Sequence, residues 1–380
     1  MWKDFAITMT MLVLPCLMVH AQGAEPLFSD QVIQPATWSG PLIVLKDGSV
    51  LFVCETNGDM GGVWGRKSTD GGRTWSEPYL FEPAAGLEAT MCQSFLRLSN
   101  GNLLMSEDIQ NAGEDLWSDR DDERTYVRQS SDEGKTWSYP MCATMYPGPW
   151  GTNNAAMRQL STGRLLMPQS VGVVTPVGKV WVSLCVYSDN GGYTWWRSQN
   201  YVQIPESYET GEPEVVELAE GRLLMLVRTR LGYMARSYSS DHGETWSPGE
   251  LVRDLPASIP SPLALDRLPT TGDLVCLWCR NPYGARQAMG EEVPLVPVGS
   301  PNNLVPQGTV RSPLSSAISS DGGQTWGHIR DLTEAPSGVY SRYGYPCLCF
   351  LDQGKTMLMD YVAGGSVHVA RISVDWFYGK

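Results

Sequence analysis

The sequence predicts an all-β protein, a six-bladed β-propeller of four-stranded antiparallel sheets. Three observations carry that prediction. An apolar run, a glycine turn and a second apolar run recur six times; an octapeptide Ser-x-Asp/Asn-x-Gly-x-Thr-Trp follows five of those six hairpins; and successive hairpins stand roughly fifty residues or more apart. A length of 380 residues would ordinarily suggest more than one domain. A repeat of about fifty residues with strand-length apolar runs is instead one propeller blade, and six blades close one ring.

Taken in order, the chain opens with Met1-Trp2-Lys3, an apolar run from Phe5 to Val19, and small residues at Ala21 and Ala24. That is the layout of a secretory signal peptide over residues 1–24. The apolar run is shorter than the roughly 20 residues that span a bilayer, and Pro15 interrupts it. The expectation is an exported protein, secreted or periplasmic, with no membrane anchor after cleavage and a propeller over residues 25–380.

The six hairpins are VLKDGSVLFV around Gly48, RLSNGNLLMS around Gly101, QLSTGRLLMP around Gly163, ELAEGRLLML around Gly221, RLPTTGDLVCLW around Gly272 and FLDQGKTMLMDY around Gly354. Glycine beside Asn, Asp, Ser or Thr between apolar runs is hairpin chemistry, because such turns need positive φ. The octapeptide boxes run Ser68 to Trp75, Ser130 to Trp137, Ser188 to Trp195, Ser239 to Trp246 and Ser319 to Trp326, with Asn190 in the place of Asp in the third. A short acidic or amide side chain accepts bonds from turn amides, and Trp anchors the loop in apolar packing. The boxes therefore read as structural staples.

The strand entering each box alternates, as in TYVRQSS and MARSYSS, which is the period of a half-exposed strand. No box follows the sixth hairpin, only VHVARISVDW from Val367 to Trp376, so residues near Phe28 to Ile33 are assigned to complete the last blade. Longer spacings locate an acidic loop from Glu107 to Glu123 and a Pro-rich loop from Pro282 to Pro306. Loops of this kind shape binding sites.

The formal charge is -13 and the pI about 4.8, so the whole-molecule field repels polyanions and argues against a nucleic-acid partner. Any anionic ligand needs arginines gathered locally against that field. Of nine cysteines, Cys16 lies in the leader; most others sit in apolar strand runs, where buried free thiols are the common outcome, although export also permits disulfides. Cys276-x-x-Cys279 has metal spacing, but there is no second such pair and the chain has 4 His. No metal and no organic cofactor are expected.

With its five Ser-x-Asp/Asn-x-Gly-x-Thr-Trp boxes, the chain resembles the sialidase superfamily of Asp-box (BNR) repeat proteins from about Trp38 to the end. That resemblance implies an exo-acting retaining glycosidase on a terminal sialic-acid-like or other acidic sugar of a glycoconjugate. Family members hold the substrate carboxylate with three arginines, attack with a Tyr assisted by a Glu, and protonate the leaving group with an Asp. A phenol suits an anomeric carbon that carries a carboxylate, because a charged nucleophile would be repelled.

By this resemblance Tyr345, in GYPCLCFLDQGK, is the nucleophile and Glu214, opening EVVELAEGRLLML, its base. Arg228 and Arg311 are the second and third arginines of the clamp, and Asp59, in ETNGDMGG, is the acid/base. Asp108, Glu114 and Asp115 are alternatives for the acid. Arg158, preceded by Asn153 and Asn154, is a further candidate for substrate contact. Taken without the resemblance, Glu214, Arg228 and Arg311 also fit exposed strand residues, and Tyr345 a core aromatic. Where the family's first blade opens with Arg-Ile-Pro, this chain reads Ser39-Gly40-Pro41. Losing one charge-assisted contact of three costs roughly 1.5–3 kcal/mol, which leaves two other readings open: a non-catalytic carbohydrate-binding propeller, or a glycosidase or lyase on a different polysaccharide.

Overall fold

The computed structural model describes residues 28–33, 40–55, 63–82, 88–111, 124–144, 150–151, 157–176, 178–333 and 339–380. The expected leader at 1–24, Ser39, Asp59, Glu114, Asp115, Asn153 and Asn154 lie outside them. Among the described residues no helix is long and apolar enough to cross a membrane.

Six four-stranded antiparallel sheets surround one axis, as expected. Blade 1 holds Leu42–Val44, Val50–Glu55, Val63–Ser68 and Tyr79–Glu82; blade 2 holds Glu88–Arg97, Leu103–Asn111, Arg124–Ser130 and Met141–Cys142. Blade 3 is built on Leu165–Thr175 and Gly178–Ser188. Its inner strand is split into Trp150–Gly151 and Arg158–Gln159, and Trp196–Arg197 is outermost. Blade 4 holds Thr210–Glu217, Leu223–Thr229, Tyr233–Ser239 and Glu250–Pro256, and blade 5 holds Leu263–Arg267, Leu274–Cys279, Leu314–Ser319 and Gly327–Asp331. Blade 6 holds Tyr343–Leu351, Thr356–Ala363 and Ser366–Ser373, and Phe28–Ile33 completes it in register from Phe28↔Ile372 to Ile33↔Val367. The ring is therefore closed by the N-terminal strand.

Apolar residues sit where neighbouring blades face each other. Leu224, Leu226 and Met234 of blade 4 pack with Leu263, Leu265 and Trp278 of blade 5, and similar layers fill the other interfaces. Cys276 belongs to the layer between blades 4 and 5, and Cys279 to the layer between blades 5 and 6. The two thiols thus face opposite sides of one sheet, and their spacing in sequence does not bring them to one ion. Cysteines 142, 185, 276, 279 and 349 are free thiols.

Each box repeats one hydrogen-bond set. In the fourth, Ser239 Oγ donates to Asp241 Oδ1 at 2.8 Å and accepts from Gly243 N at 2.9 Å, while Asp241 Oδ1 accepts from Thr245 N at 2.9 Å. In the third, Asn190 Oδ1 accepts from Thr194 N at 2.9 Å and Asn190 Nδ2 donates to Thr194 Oγ1 at 2.9 Å, so the amide replaces the carboxylate with one bond reversed. The boxes also join blades. A Cβ on Gly243 would fall 2.8 Å from Leu166 of blade 3, and one on Gly323 only 2.4 Å from Leu224 of blade 4. Positive φ and this close approach together require glycine at both positions.

Both insertions differ from simple loops. Glu107 and Asp108 lie inside a strand of blade 2, where Asp108 accepts from Thr125 Oγ1 at 2.6 Å. The Pro-rich segment of blade 5 contains the helix Tyr283–Ala288 and a ribbon pairing Leu295–Pro297 with Leu304–Pro306. Asn281 Nδ2 ties the ends of this insertion by donating to Gln307 O and Val310 O.

Candidate active site

Hairpin turns and boxes share one end of the ring: Ser239, which opens a box, pairs opposite Leu223, just past the turn at Gly221. The inner strands begin at the other end, and there Arg228, Tyr345 and Arg311 gather. Arg228 closes on this mouth from the second strand of blade 4, opposite Gly211. Its Nε donates to Glu209 Oε1 at 2.6 Å, and its Nη1 pairs with Glu212 Oε1. Glu209 is buried and its second oxygen accepts from Arg230 Nε at 2.5 Å. Burial alone would raise the Glu209 carboxyl, but Arg228 and Arg230 outweigh it and hold it below the ordinary carboxylate range. Burial likewise opposes the charge on Arg228, and Glu212, Glu209 and the Tyr345 phenol more than compensate, so Arg228 remains a cation.

Tyr345 reaches the mouth through a β-bulge in the inner strand of blade 6, between Gly344 and Cys347, with φ +54. Bulges re-aim a side chain, and a Tyr with positive φ is rare enough to suggest function. The Arg311 guanidinium lies over its ring at 5.5 Å from the centroid, and Arg311 Nε donates to Pro260 O at 2.9 Å. Gly344 permits the approach, since a Cβ there would come 3.3 Å from Arg311 Nη1. Among the described residues Arg311 makes no ion pair. Tyr345, Arg228 and Arg311 therefore form one cluster.

Glu214 and Arg158 lie elsewhere. The inner strand of blade 4 begins at Thr210, not at Glu214, and a bulge between Gly211 and Glu214 shifts its register. Glu214 is buried on the axial channel, a cavity of about 330 Å³ lined by the inner strands of all six blades. Arg158 lines the same channel, where it donates to Val215 O at 3.0 Å and Leu265 O at 2.8 Å and so ties blade 3 to blades 4 and 5. The carboxylate against Arg228 is Glu212, at φ +47 on the bulge, with its N–H donating to Ser170 Oγ at 2.7 Å. Glu209, Glu212 and Arg230 were not singled out in the sequence. Gly211 and Pro213 flanking Glu212 carry the signal, because Gly and Pro inside a strand mark a bulge.

Gly40, which follows Ser39 in the sequence, donates its N–H to Asp360 Oδ2 at 3.2 Å. Asp360 is wholly buried, its Oδ1 has no hydrogen-bond partner among the described residues, and burial pushes its pKa well above the ordinary value.

A closed six-bladed ring with Asp boxes and an arginine-flanked tyrosine at its mouth defines a class of propeller. The chain belongs to the family of BNR repeat-like domains, whose family model matches residues 95–358. Among curated proteins it is similar to a sialidase of Micromonospora viridifaciens, 27% identical over 94% of this chain and 55% of that protein. It is also similar to a sialidase of Bacteroides fragilis, 26% identical over 60% of this chain and 37% of that protein. The chain thus spans about half or less of these relatives. Among solved structures, a protein of unknown function from Dyadobacter fermentans superposes with a TM-score of 0.64 at 18% identity, covering 91% of this chain and 98% of that one. Trypanosoma rangeli sialidase in complex with the inhibitor DANA superposes with a TM-score of 0.62 at 16% identity, covering 91% of this chain and 56% of that one. Both structural likenesses concern the fold.

Proposed function

We propose that this protein is an exo-acting retaining glycosidase of sialidase type that releases a terminal sialic-acid-like or other acidic sugar from a glycan. The observation that carries the reading is Tyr345, held on a left-handed bulge with Arg311 over its ring and Arg228 beside it. Two guanidiniums converging on one phenol suit a substrate whose carboxylate sits on the carbon under attack. In the first step the phenol oxygen bonds to the anomeric carbon, a carboxylate takes the phenol proton, and an acid protonates the departing glycosidic oxygen. Water then reverses the sequence and restores the tyrosine.

The carboxylate assigned to the phenol is Glu212, because Glu212 and Tyr345 both act on Arg228 while Glu214 faces the axial channel. Asp59 keeps the acid/base role on sequence alone. Asp108 is less suited to it, being buried and engaged with Thr125. Export to the periplasm or medium is part of the same reading.

The test is release of 4-methylumbelliferone from its sialoside beside a panel of other glycosides. Tyr345→Phe is expected to abolish release, Glu212→Gln to lower kcat by roughly a hundredfold or more, and Glu214→Gln to act mainly on stability. A Glu214→Gln loss equal to the Glu212→Gln loss would return the base to Glu214. Tyr345-dependent release from another sugar alone would mean that the Gly40-Pro41 opening has changed the substrate. Silence across the panel would favour a carbohydrate-binding propeller.

A further inference from the structure

We propose that the mouth carries a second anion subsite, built on Arg230 over Tyr208, that takes the acidic group of the penultimate sugar in a glycan with two consecutive acidic residues. The inference rests on the reading of the mouth as a glycosidase site and extends it from the terminal sugar to the next. Glu209 is the element that joins the two subsites. One of its oxygens holds Arg228 Nε at 2.6 Å and the other holds Arg230 Nε at 2.5 Å, so the two guanidiniums stand side by side. A glycan whose terminal carboxylate meets Arg228 therefore has its next acidic group within reach of Arg230.

Arg230 is held rather than loose. Its guanidinium lies over the Tyr208 ring at 5.2 Å from the centroid, and among the described residues Glu209 is its one ion-pair partner. With Nε engaged and one face stacked, the Nη edge is oriented before a ligand arrives, which is how arginine recognises a carboxylate or sulfate without a large ordering cost. The group is also reachable: the Arg230 side chain is 35% exposed and Tyr208 is 59% exposed.

A wall stands beside it. The central hairpin of blade 3 stays paired out to Thr175↔Gly178, whereas Val227↔Ala235 is the last pair of the corresponding hairpin of blade 4. Trp181 on this extended hairpin donates its N–H to Tyr208 O at 3.0 Å, and Lys179 Nζ lies 5.6 Å from the Trp181 ring centroid. Tyr208 and Trp181 offer flat apolar surface for the C–H faces of a sugar, and Lys179 adds an exposed cation. Across the mouth, Arg228, Arg230 and Arg311 stand against Glu209 and Glu212, which leaves an excess of positive charge in a strongly acidic protein. That local field suits a ligand with more than one negative charge.

The experiment is calorimetric titration of the full chain carrying Tyr345→Phe, with the methyl glycoside of sialic acid and with α2,8-linked disialic acid as probes. The disaccharide is expected to bind at least about tenfold more tightly, the scale of one charge-assisted contact. Adding Arg230→Gln should erase that preference and leave the monosaccharide within about twofold; Tyr208→Ala should reduce it. Equal affinity for the two probes, or a preference that survives Arg230→Gln, would overturn the subsite while leaving the glycosidase reading intact. An equal loss for both probes would also overturn it, because Arg230 would then act only through Glu209 on Arg228. If neither probe binds, the glycosidase reading falls and the subsite with it.

Discussion

Tyr345 and Glu212 share a device: each sits on an inner-strand bulge with positive φ, in blades 6 and 4. Such a conformation costs of order 1–3 kcal/mol and persists where the surroundings impose it. The bulge also explains why Glu212 was not singled out in the sequence. On an unbroken strand Glu212 and Glu214 are two residues apart and face the same way, so alternation gives no reason to separate them. Only the bulge turns one toward Arg228 and the other toward the channel. Asp360 supports a separate prediction at this scale. Its folded pKa is raised by burial, so the proton is retained in the fold but lost from the unfolded chain above about pH 4. Its contribution is present below the unfolded pKa and declines as pH rises toward the folded one. Asp360→Asn lacks this penalty, and its stability relative to the wild type should increase from pH 4 to pH 8. Urea midpoints of the two proteins across that range are the measurement, and a constant difference would show that Asp360 does not titrate on unfolding.

At the scale of elements, the boxes were fully legible because their chemistry is local. Ser, Asp, Gly, Thr and Trp satisfy one turn among themselves at fixed spacing. The same bonds hold the Asp70 carboxyl down at about 2 even though burial pulls the other way, so the stability these turns supply is present above the ordinary carboxylate pKa and fades as pH falls toward 2. Ser239→Ala strands the buried Gly243 N–H and should cost about 1–3 kcal/mol, read as a lowered urea midpoint. The blade 5 insertion was not legible as structure, since its fold depends on a distant contact. A Cβ on Gly232, at φ +73, would fall 2.0 Å from Ala285 N, and one on Gly284 would fall 2.0 Å from Ala257 O. The turn of blade 4 and the helix Tyr283–Ala288 therefore meet backbone to backbone. Gly232→Ala should loosen the insertion from its seat, and limited proteolysis should then cut between Met289 and Pro306 faster than in the wild type while the ring stays folded. Unchanged cleavage would mean that other contacts hold the insertion.

At the scale of the whole molecule, stability depends on how the ring is shut. Neighbouring blades are joined by apolar layers, Ile33, Leu358 and Val367 of blade 6 packing with Leu42, Val50 and Phe52 of blade 1, so an open ring would leave blade 6 without its outer strand and blade 1 without a fixed neighbour. Phe28–Ile33 supplies that strand through a continuous ladder to Val367–Ile372. Side chains add to it: Tyr361 Oη donates to Asp30 Oδ2 at 2.9 Å, and His368 Nδ1 lies 3.1 Å from the same oxygen. Gln31 Nε2 and Arg371 Nη1 reach the carbonyls of Gly72 and Gly71 in the first box, which links the closing blade to blade 1. The closing strand was read from the sequence by counting, because six hairpins and a last blade short of one strand leave only the N-terminal segment to supply it. Deleting the chain through Ile33 would expose the edge of Ser366–Ser373, and an exposed edge pairs readily with another chain. The deletion should lower the melting temperature and produce concentration-dependent self-association in size-exclusion chromatography. Asp30→Ala, which keeps the ladder and removes only the side-chain bonds, should lower the melting temperature by a smaller amount and leave the protein in its original oligomeric state. If the deletion melted like the intact chain, the ring would have to be held by blade packing alone, and the order of the two variants decides between these accounts.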